Sequence, residues 1–465
     1  MSTPPQLTPV LNERFRDFQT ADCDARVRAE IERIVREGSD IDCYKINAAR
    51  IAGTCGVSVR EALRAFLFAT QLGILDLNYD TYCPSCSGNT EYARHLMGLR
   101  SRGSCDLCSI EFENGFLDQV EVTFTVNPNV RGVTVPDFWE RDFDGKVAYF
   151  KQIVQREGRV PVLSSWFQPG EQKTIDGRLD DPAGYIYYLA SNHLAGGLIE
   201  ISGEPTEELR TVALTVNEDG SVTPNRLELA PGPIAFAVDY RYHKRWPVLT
   251  MRRGLPNNWV SAAYVTSQQD FRDLFAGEFL APGVSFAIRN TTLMFTDIKQ
   301  STELFEELGD SAAYALIQDH FRVMADIIRN HQGGIVKTIG DAVMAAFPVN
   351  RDAVAAACDI QQAFSQAPIK NRFIAVKIGL HRGAAIAVTS NRNLDYFGRT
   401  VNIAARVQGK SAANQVLLSD AVIDDPQVQE LLAARPVTRE SFTTGLKGLG
   451  DSFRLHAVDR QTQDA

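Results

Sequence analysis

The run Thr291-Thr-Leu-Met-Phe-Thr296 is apolar and β-prone and delivers Asp297 at its end, with Ser301 opening a helix-periodic stretch just behind it. Further on, Ile335-Val-Lys-Thr-Ile-Gly-Asp341-Ala-Val-Met-Ala-Ala-Phe347 reads as a hairpin that turns at Gly340-Asp341. If these strands are neighbours, two carboxylates meet at one end of a sheet, and this constrains the fold more than any other feature. Two unneutralised carboxylates repel, so the site calls for divalent cations, and hard oxygen ligands select Mg²⁺ or Mn²⁺. Two such metals per site would bridge a triphosphate.

From Thr291 onwards strands alternate with helices: the apolar strand, a long helix from Ser301 to Asn330, the hairpin, a helix near Asp352 to Phe364, two strands, another helix and a closing strand. This predicts an α+β sandwich with helices against one face of a sheet. A chain of 465 residues exceeds one domain, and the rest reads differently. Residues 1 to about 80 carry helical periodicity, with Val27, Ile31 and Ile34 on one stripe. Within Ile46 to Leu77, Gly56 marks a turn and Ser58 caps a second helix, after which Gly73-Ile74-Leu75 begins a strand, so the segment resembles a winged helix-turn-helix. Cys83-Pro-Ser-Cys86 and Cys105-Asp-Leu-Cys108 follow with 18 residues between the pairs, a zinc-ribbon spacing. From about 113 to 285 the pattern is strand-like, as in Gln119–Val126, Thr211–Val216 and Pro233–Val238, with Gly, Pro and Asn turns between. Ala281-Pro-Gly-Val reads as a short linker into the last domain.

The net charge of −9 argues against broad electrostatic binding of nucleic acid or anionic lipid. Apolar runs stay shorter than a membrane helix needs, and the first residues lack the continuous apolar stretch of a secretory signal, so the chain is expected to be soluble and cytoplasmic, with no membrane partner. Eight cysteines in a reducing compartment then point to metal or free thiols. Cys23, Cys43, Cys55 and Cys358 read as buried or free thiols. The four clustered cysteines read as a closed structural Zn²⁺ site, with a redox pair as the alternative.

Three segments, FTDIKQST, VKTIGDAVMAAF and Asp395-Tyr-Phe-Gly-Arg-Thr-Val-Asn402-Ile-Ala-Ala-Arg406, resemble in order the signature of class III nucleotidyl cyclases, over residues 286 to about 460. The resemblance implies a ferredoxin-like α+β catalytic domain of the soluble, homodimeric bacterial type, making cyclic AMP from ATP. It matches Asp297 and Asp341 to the metal-binding aspartates, Lys337 and Asp395 to the adenine-reading pair, and Asn402 and Arg406 to the residues contacting the ribose and the transition-state phosphate. Lys447, in Gly-Leu-Lys-Gly-Leu-Gly, is similar to the family's triphosphate-binding lysine, although Leu449 stands where a second basic residue is common. Arg382 precedes Gly383, where many relatives carry an arginine after the glycine, which leaves its phosphate role open. The resemblance also implies active sites split across a dimer interface, and the chain carries the complete set of groups. The N-terminal part resembles an uncharacterised module that precedes some bacterial cyclases.

Chemistry supports these roles independently. Adenine offers an acceptor at N1 and a donor at N6, suiting a lysine ammonium and an aspartate carboxylate, while guanine reverses both. Asn402 and Arg406, four apart on a helix, share a face, and a guanidinium fork suits phosphoryl oxygens. The domains expected are a helical, winged-helix-like segment at 1–80, a zinc ribbon at 81–112, a β-rich regulatory domain at 113–285 that would take a small-molecule effector, and the cyclase domain at 286–465. Two alternatives stand: a guanylate cyclase, and a DNA-binding regulator whose cyclase-like domain senses nucleotide and dimerises. The second helix of the helix-turn-helix, Ser58 to Leu72, has only Arg60 and Arg64 as cations, which suits packing against the ribbon or the β-domain better than phosphate contacts.

Overall fold

The computed structural model describes residues 9–82, 89–105, 110–113, 115–134, 161–182, 184–189, 195–252, 259–450 and 452–460. Four helices open it: α1 (Pro9–Gln19), α2 (Ala25–Glu37), α3 (Ala48–Cys55) and α4 (Val59–Gln71). The stripe of α2 that its periodicity predicts is buried, and Asp24 caps the helix by accepting from the Arg26 and Val27 N–H groups. Ser58 and Glu61 close a reciprocal capping box on α4, and Gly56, at φ +64°, turns the chain between α3 and α4.

Strand β1 (Leu75–Tyr82) follows and pairs with β2 (Asn89–Ala93), while β3 (Arg102–Cys105) and β4 (Ile110–Glu113) form a separate hairpin. Cys83, Cys86 and Cys108 of the expected ribbon lie outside the described residues, and Cys105 closes β3. No group of three or more potential metal ligands occurs among the described residues. Strand β5 (Val120–Val126) falls, by sequence, in the β-rich stretch from 113 onwards, yet it pairs with β1 from Leu75↔Val126 to Thr81↔Val120. Its Val120, Val122, Phe124 and Val126 complete the core of the four helices, which is why it joins them. Nine strands from β6 (Pro161–Phe167) to β14 (Trp246–Arg252) then form sheets of four and five strands. The two sheets share a core that includes Phe167, Ile199, Phe236, Tyr240 and Val248, and so form a sandwich.

Helices α5 (Ala262–Ser267) and α6 (Gln269–Leu274) lead to an eight-stranded sheet. Its first strand is β15 (Phe286–Ile298); then come α7 (Ser301–Leu308), α8 (Asp310–Asn330), β16 (Gly334–Ile339), β17 (Ala342–Phe347), α9 (Asn350–Gln366), β18 (Val376–Ser390), β19 (Asn393–Phe397) and α10 (Arg399–Gln408). Strand β20 (Val416–Ser419), α11 (Asp420–Ile423), α12 (Pro426–Ala433), β21 (Val437–Gly445) and β22 (Ser452–Arg460) complete it. The sheet order is β16-β17-β15-β18-β20-β22-β21, with β19 hydrogen-bonded to β18. The single long helix expected over Ser301–Asn330 is two, broken at Gly309, whose φ of +71° no helix accommodates.

Helices were expected on one sheet face only, and α8 and α9 do cover one, packing on Met294, Val343, Ala345 and Phe347. The opposite face is buried as well: Leu293, Phe295, Met344 and Ala346 belong to the same core as α1 to α4, β1 and β5. Successive residues of a strand point to opposite faces, so an unbroken apolar run such as Leu293-Met-Phe295 serves a strand covered on both sides. Among the described residues no helix is long and apolar enough to cross a membrane.

His320 on α8 is fully buried with its ring 4.7 Å from that of Phe364, and neither ring nitrogen has a partner among the described residues. Burial pushes its pKa down from 6.5 to about 4. Below about pH 6.5 the unfolded chain binds this proton and the folded chain does not, so stability is lost as pH falls from there towards 4. His320→Leu removes that contribution, and the stability difference between pH 7 and pH 5, read from urea titrations, should shrink by about 2 kcal/mol.

Candidate active site

Strand β15 runs past β17, with which its pairing ends at Thr296↔Val343, and ends at Asp297-Ile298, in register with Lys377-Val376 on β18. Hairpin β16–β17 closes in two residues, and only the first, Gly340, has positive φ (+64°), the geometry of a tight turn with glycine leading. That turn puts Asp341 at the tip, where its Oδ2 accepts from the Ile298 backbone N–H at 3.1 Å. The structure thus brings the two sequence-predicted aspartates to one sheet end. Lys377 Nζ lies 2.7 Å from Asp297 Oδ2. Sequence reasoning missed this ammonium; its signal was a lone charge inside the apolar strand Val376-Lys-Ile-Gly-Leu380.

Lys337 lies on the same hairpin, where the β16–β17 register slips between Ile335 and Lys337. The extra residue re-aims the lysine side chain. Lys337 Nζ donates to Asp395 Oδ2 at 2.6 Å, and Asp395 Oδ1 accepts from the Tyr396 N–H at 2.8 Å. Strand β19, which carries Asp395, is held in place by pairing of Asp395 with Val388 of β18. The pair is partly open to solvent, with Lys337 39% and Asp395 14% exposed, so it can separate to admit a ligand at modest cost.

The third group lies on and beside α10. Gly398, at φ +130°, leads into the helix, which buries Ile403, Ala404 and Val407 and leaves Asn402 exposed and Arg406 half-buried on its other side. The Arg406 guanidinium reaches the β21–β22 loop, where a Cβ on Gly448 would stand 3.7 Å from it, next to Lys447. Among the described residues no hydrogen bond or ion pair joins Asn402, Arg406 or Lys447 to Asp297 or Asp341. Arg382, the doubtful phosphate contact, pairs instead with Asp425 at 3.6 Å, and Asp425 caps α12. His381 beside it bonds Ser419 Oγ at 2.8 Å, and burial, helped by Arg399, lowers its pKa to about 4, which keeps it neutral at pH 7.

A family described as adenylate and guanylate cyclase catalytic domain matches residues 285–437, and a family of unknown function, DUF5939, matches residues 12–265. Among curated proteins the chain is similar to an adenylate cyclase of Anabaena cylindrica, 26% identical over 226 residues, which are 45% of this chain and 42% of that protein. It is also similar to an adenylate cyclase of Lachancea kluyveri, 31% identical over 162 residues, 30% of this chain and 9% of that protein. The chain therefore spans less than half the length of these relatives. Among solved structures, the adenylyl cyclase CyaB from P. aeruginosa is 23% identical, with a TM-score of 0.32, over 39% of this chain and 99% of that one. With more than half its length matched by one family, the chain belongs to the family of unknown function DUF5939, and behind that segment it carries an adenylate and guanylate cyclase catalytic domain.

Proposed function

We propose that the chain is an adenylate cyclase that converts ATP to 3',5'-cyclic AMP and pyrophosphate. The observation that carries this reading is the meeting, on one hairpin and its neighbours, of an aspartate pair and a lysine–aspartate pair. Asp297 and Asp341 present hard carboxylate oxygens at one sheet end, and a cationic group already rests on Asp297, so the donor set fits Mg²⁺ or Mn²⁺. Two such ions, when bound, neutralise the triphosphate and ease loss of the ribose hydroxyl proton. In this reading Lys337 donates to adenine N1 and Asp395 accepts from N6, while Asn402 orients the ribose. Arg406 meets charge growing on the phosphate as the 3'-oxygen attacks the α-phosphorus and the bond to pyrophosphate breaks, and Lys447 holds the departing phosphates.

Catalysis is assigned to a homodimer with shared sites. Support comes from the lack, among the described residues, of any bond between the α10 group and the aspartates, and from Ile386 and Phe397. These face each other across the β18–β19 hairpin and are 40% and 66% exposed, an apolar pair that a second copy would cover. The DNA-binding alternative is weakened because Arg60 donates to the Asn330 carbonyl and Arg64 pairs with Asp22. For the four cysteines the proposal is one structural Zn²⁺, and elemental analysis should find about one zinc per chain, lost in Cys105→Ser.

Incubation with ATP or GTP and Mn²⁺ tests the reading: cyclic AMP forms, Asp297→Ala abolishes it, and Lys337→Glu erases the preference for ATP. Dominant cyclic GMP from the unaltered chain would favour the guanylate reading. Asp297→Ala and Arg406→Ala, each inactive alone, should regain about a quarter of wild-type activity when co-refolded, because half the dimers then hold one intact site. Lys377→Met removes the ammonium that competes for Asp297, and Mn²⁺ affinity by calorimetry should rise several-fold.

A further inference from the structure

Helix α6 lies between the two matched families and outside both. Gln269 extends the edge of β16, donating its N–H to the Gly333 carbonyl at 3.1 Å and accepting from the Ile335 N–H through Oε1 at 2.6 Å. One turn on, Arg272 Nη1 donates to the Leu394 carbonyl at 3.1 Å, and the guanidinium sits 5.6 Å from the Tyr396 ring centroid. Leu394 and Tyr396 flank Asp395, and Ile335 lies two residues before Lys337. A single helical turn therefore grips both strands that carry the lysine–aspartate pair.

Two further observations mark this contact as more than generic packing. Nε and Nη2 of Arg272 are buried with no hydrogen-bond partner among the described residues, a costly use of an arginine if apolar burial were all the position required. At Gly334 a Cβ would stand 2.5 Å from the carbonyl of Ser267, the last residue of α5, and 3.1 Å from the Gln269 nitrogen and Arg272 Cδ of α6, so the approach of both helices depends on the absence of a side chain there. The helix is held from behind, since Arg329 of α8 bonds Asp273 at 2.5 Å and lies 3.4 Å from Asp270.

We infer that Arg272 is a positioning residue for base recognition: it fixes the spacing of Lys337 and Asp395, so that nucleotide selectivity is set partly by a helix outside the cyclase fold. The inference rests on the assignment of that pair to the base under Proposed function. It predicts that Arg272→Met lowers the ratio of kcat/KM for ATP over GTP by about tenfold, through KM with kcat little changed. Arg272→Lys, which can still reach the Leu394 carbonyl, keeps most of the ratio. Gly334→Ala, which must displace α6, loses it with Arg272 intact. Mn²⁺ binding at Asp297 and Asp341 stays at the wild-type value in all three, which shows the sheet end to be folded. A wild-type ratio in Arg272→Met and Gly334→Ala, or a fall in kcat with KM unmoved, overturns the inference. Failure of the unaltered chain to make either cyclic nucleotide overturns the reading of the site itself, and the inference with it.

Discussion

Burial of β15 on both faces is the constraint on which the rest of the molecule depends. Met294 faces the helices of the cyclase domain, while its neighbours Leu293 and Phe295 face a core built by the N-terminal helices. An eight-stranded sheet with one wet face would align Asp297 with the turn of β16–β17 equally well. It would not give residues 12–265 any hold on the catalytic half. Here the hold consists of apolar area supplemented by a few directed bonds: Ala287 N–H to the Gly115 carbonyl, Arg289 N–H to Asp118, and Arg60 to the Asn330 carbonyl. The non-directional part supplies most of the stability and the directed bonds fix the register.

The site is arranged as three clusters, each made by a different local device. A tight turn led by glycine places Asp341, a slipped register aims Lys337, and helical spacing aligns Asn402 with Arg406. Each device is short-range, and this explains why the candidate groups could be picked out in the sequence, although the slipped register at Lys337 could not. Turn chemistry, alternation and i,i+4 spacing are properties of a dozen residues and survive in any context that lets the strands pair. The same holds for the Ser58 capping box and the buried stripe of α2.

What the sequence concealed is long-range. Nothing in Val120–Val126 tells whether it pairs with the sandwich or with β1, because an alternating strand suits either, and only the partner core decides. Helix α4 read as a candidate for packing on the ribbon or the β-domain; within the stretch 113–285 it meets β5, where the Phe66 and Phe124 rings lie 4.8 Å apart, and α6, and its Arg60 also reaches the end of α8. Lys377 and Arg272 gave weak signals for the same reason. A charge within a strand or a short helix acquires meaning only from the residue opposite, and Asp297 and Leu394 are 80 and 122 positions away.

The three large cores have a consequence for synthesis of the chain. Among the described residues the core that begins at Leu11 is completed by residues up to Ala404, whereas the sandwich core lies between Leu163 and Val248. As the chain leaves the ribosome, the first helices emerge with one apolar side still lacking its cover, and the whole sandwich is made before that cover arrives. A segment with a core of its own, inserted at this point, acts as a delay in assembly, during which the early helices must avoid other apolar surfaces. Biogenesis of the catalytic sheet is thus coupled to the patience of a half-finished neighbour.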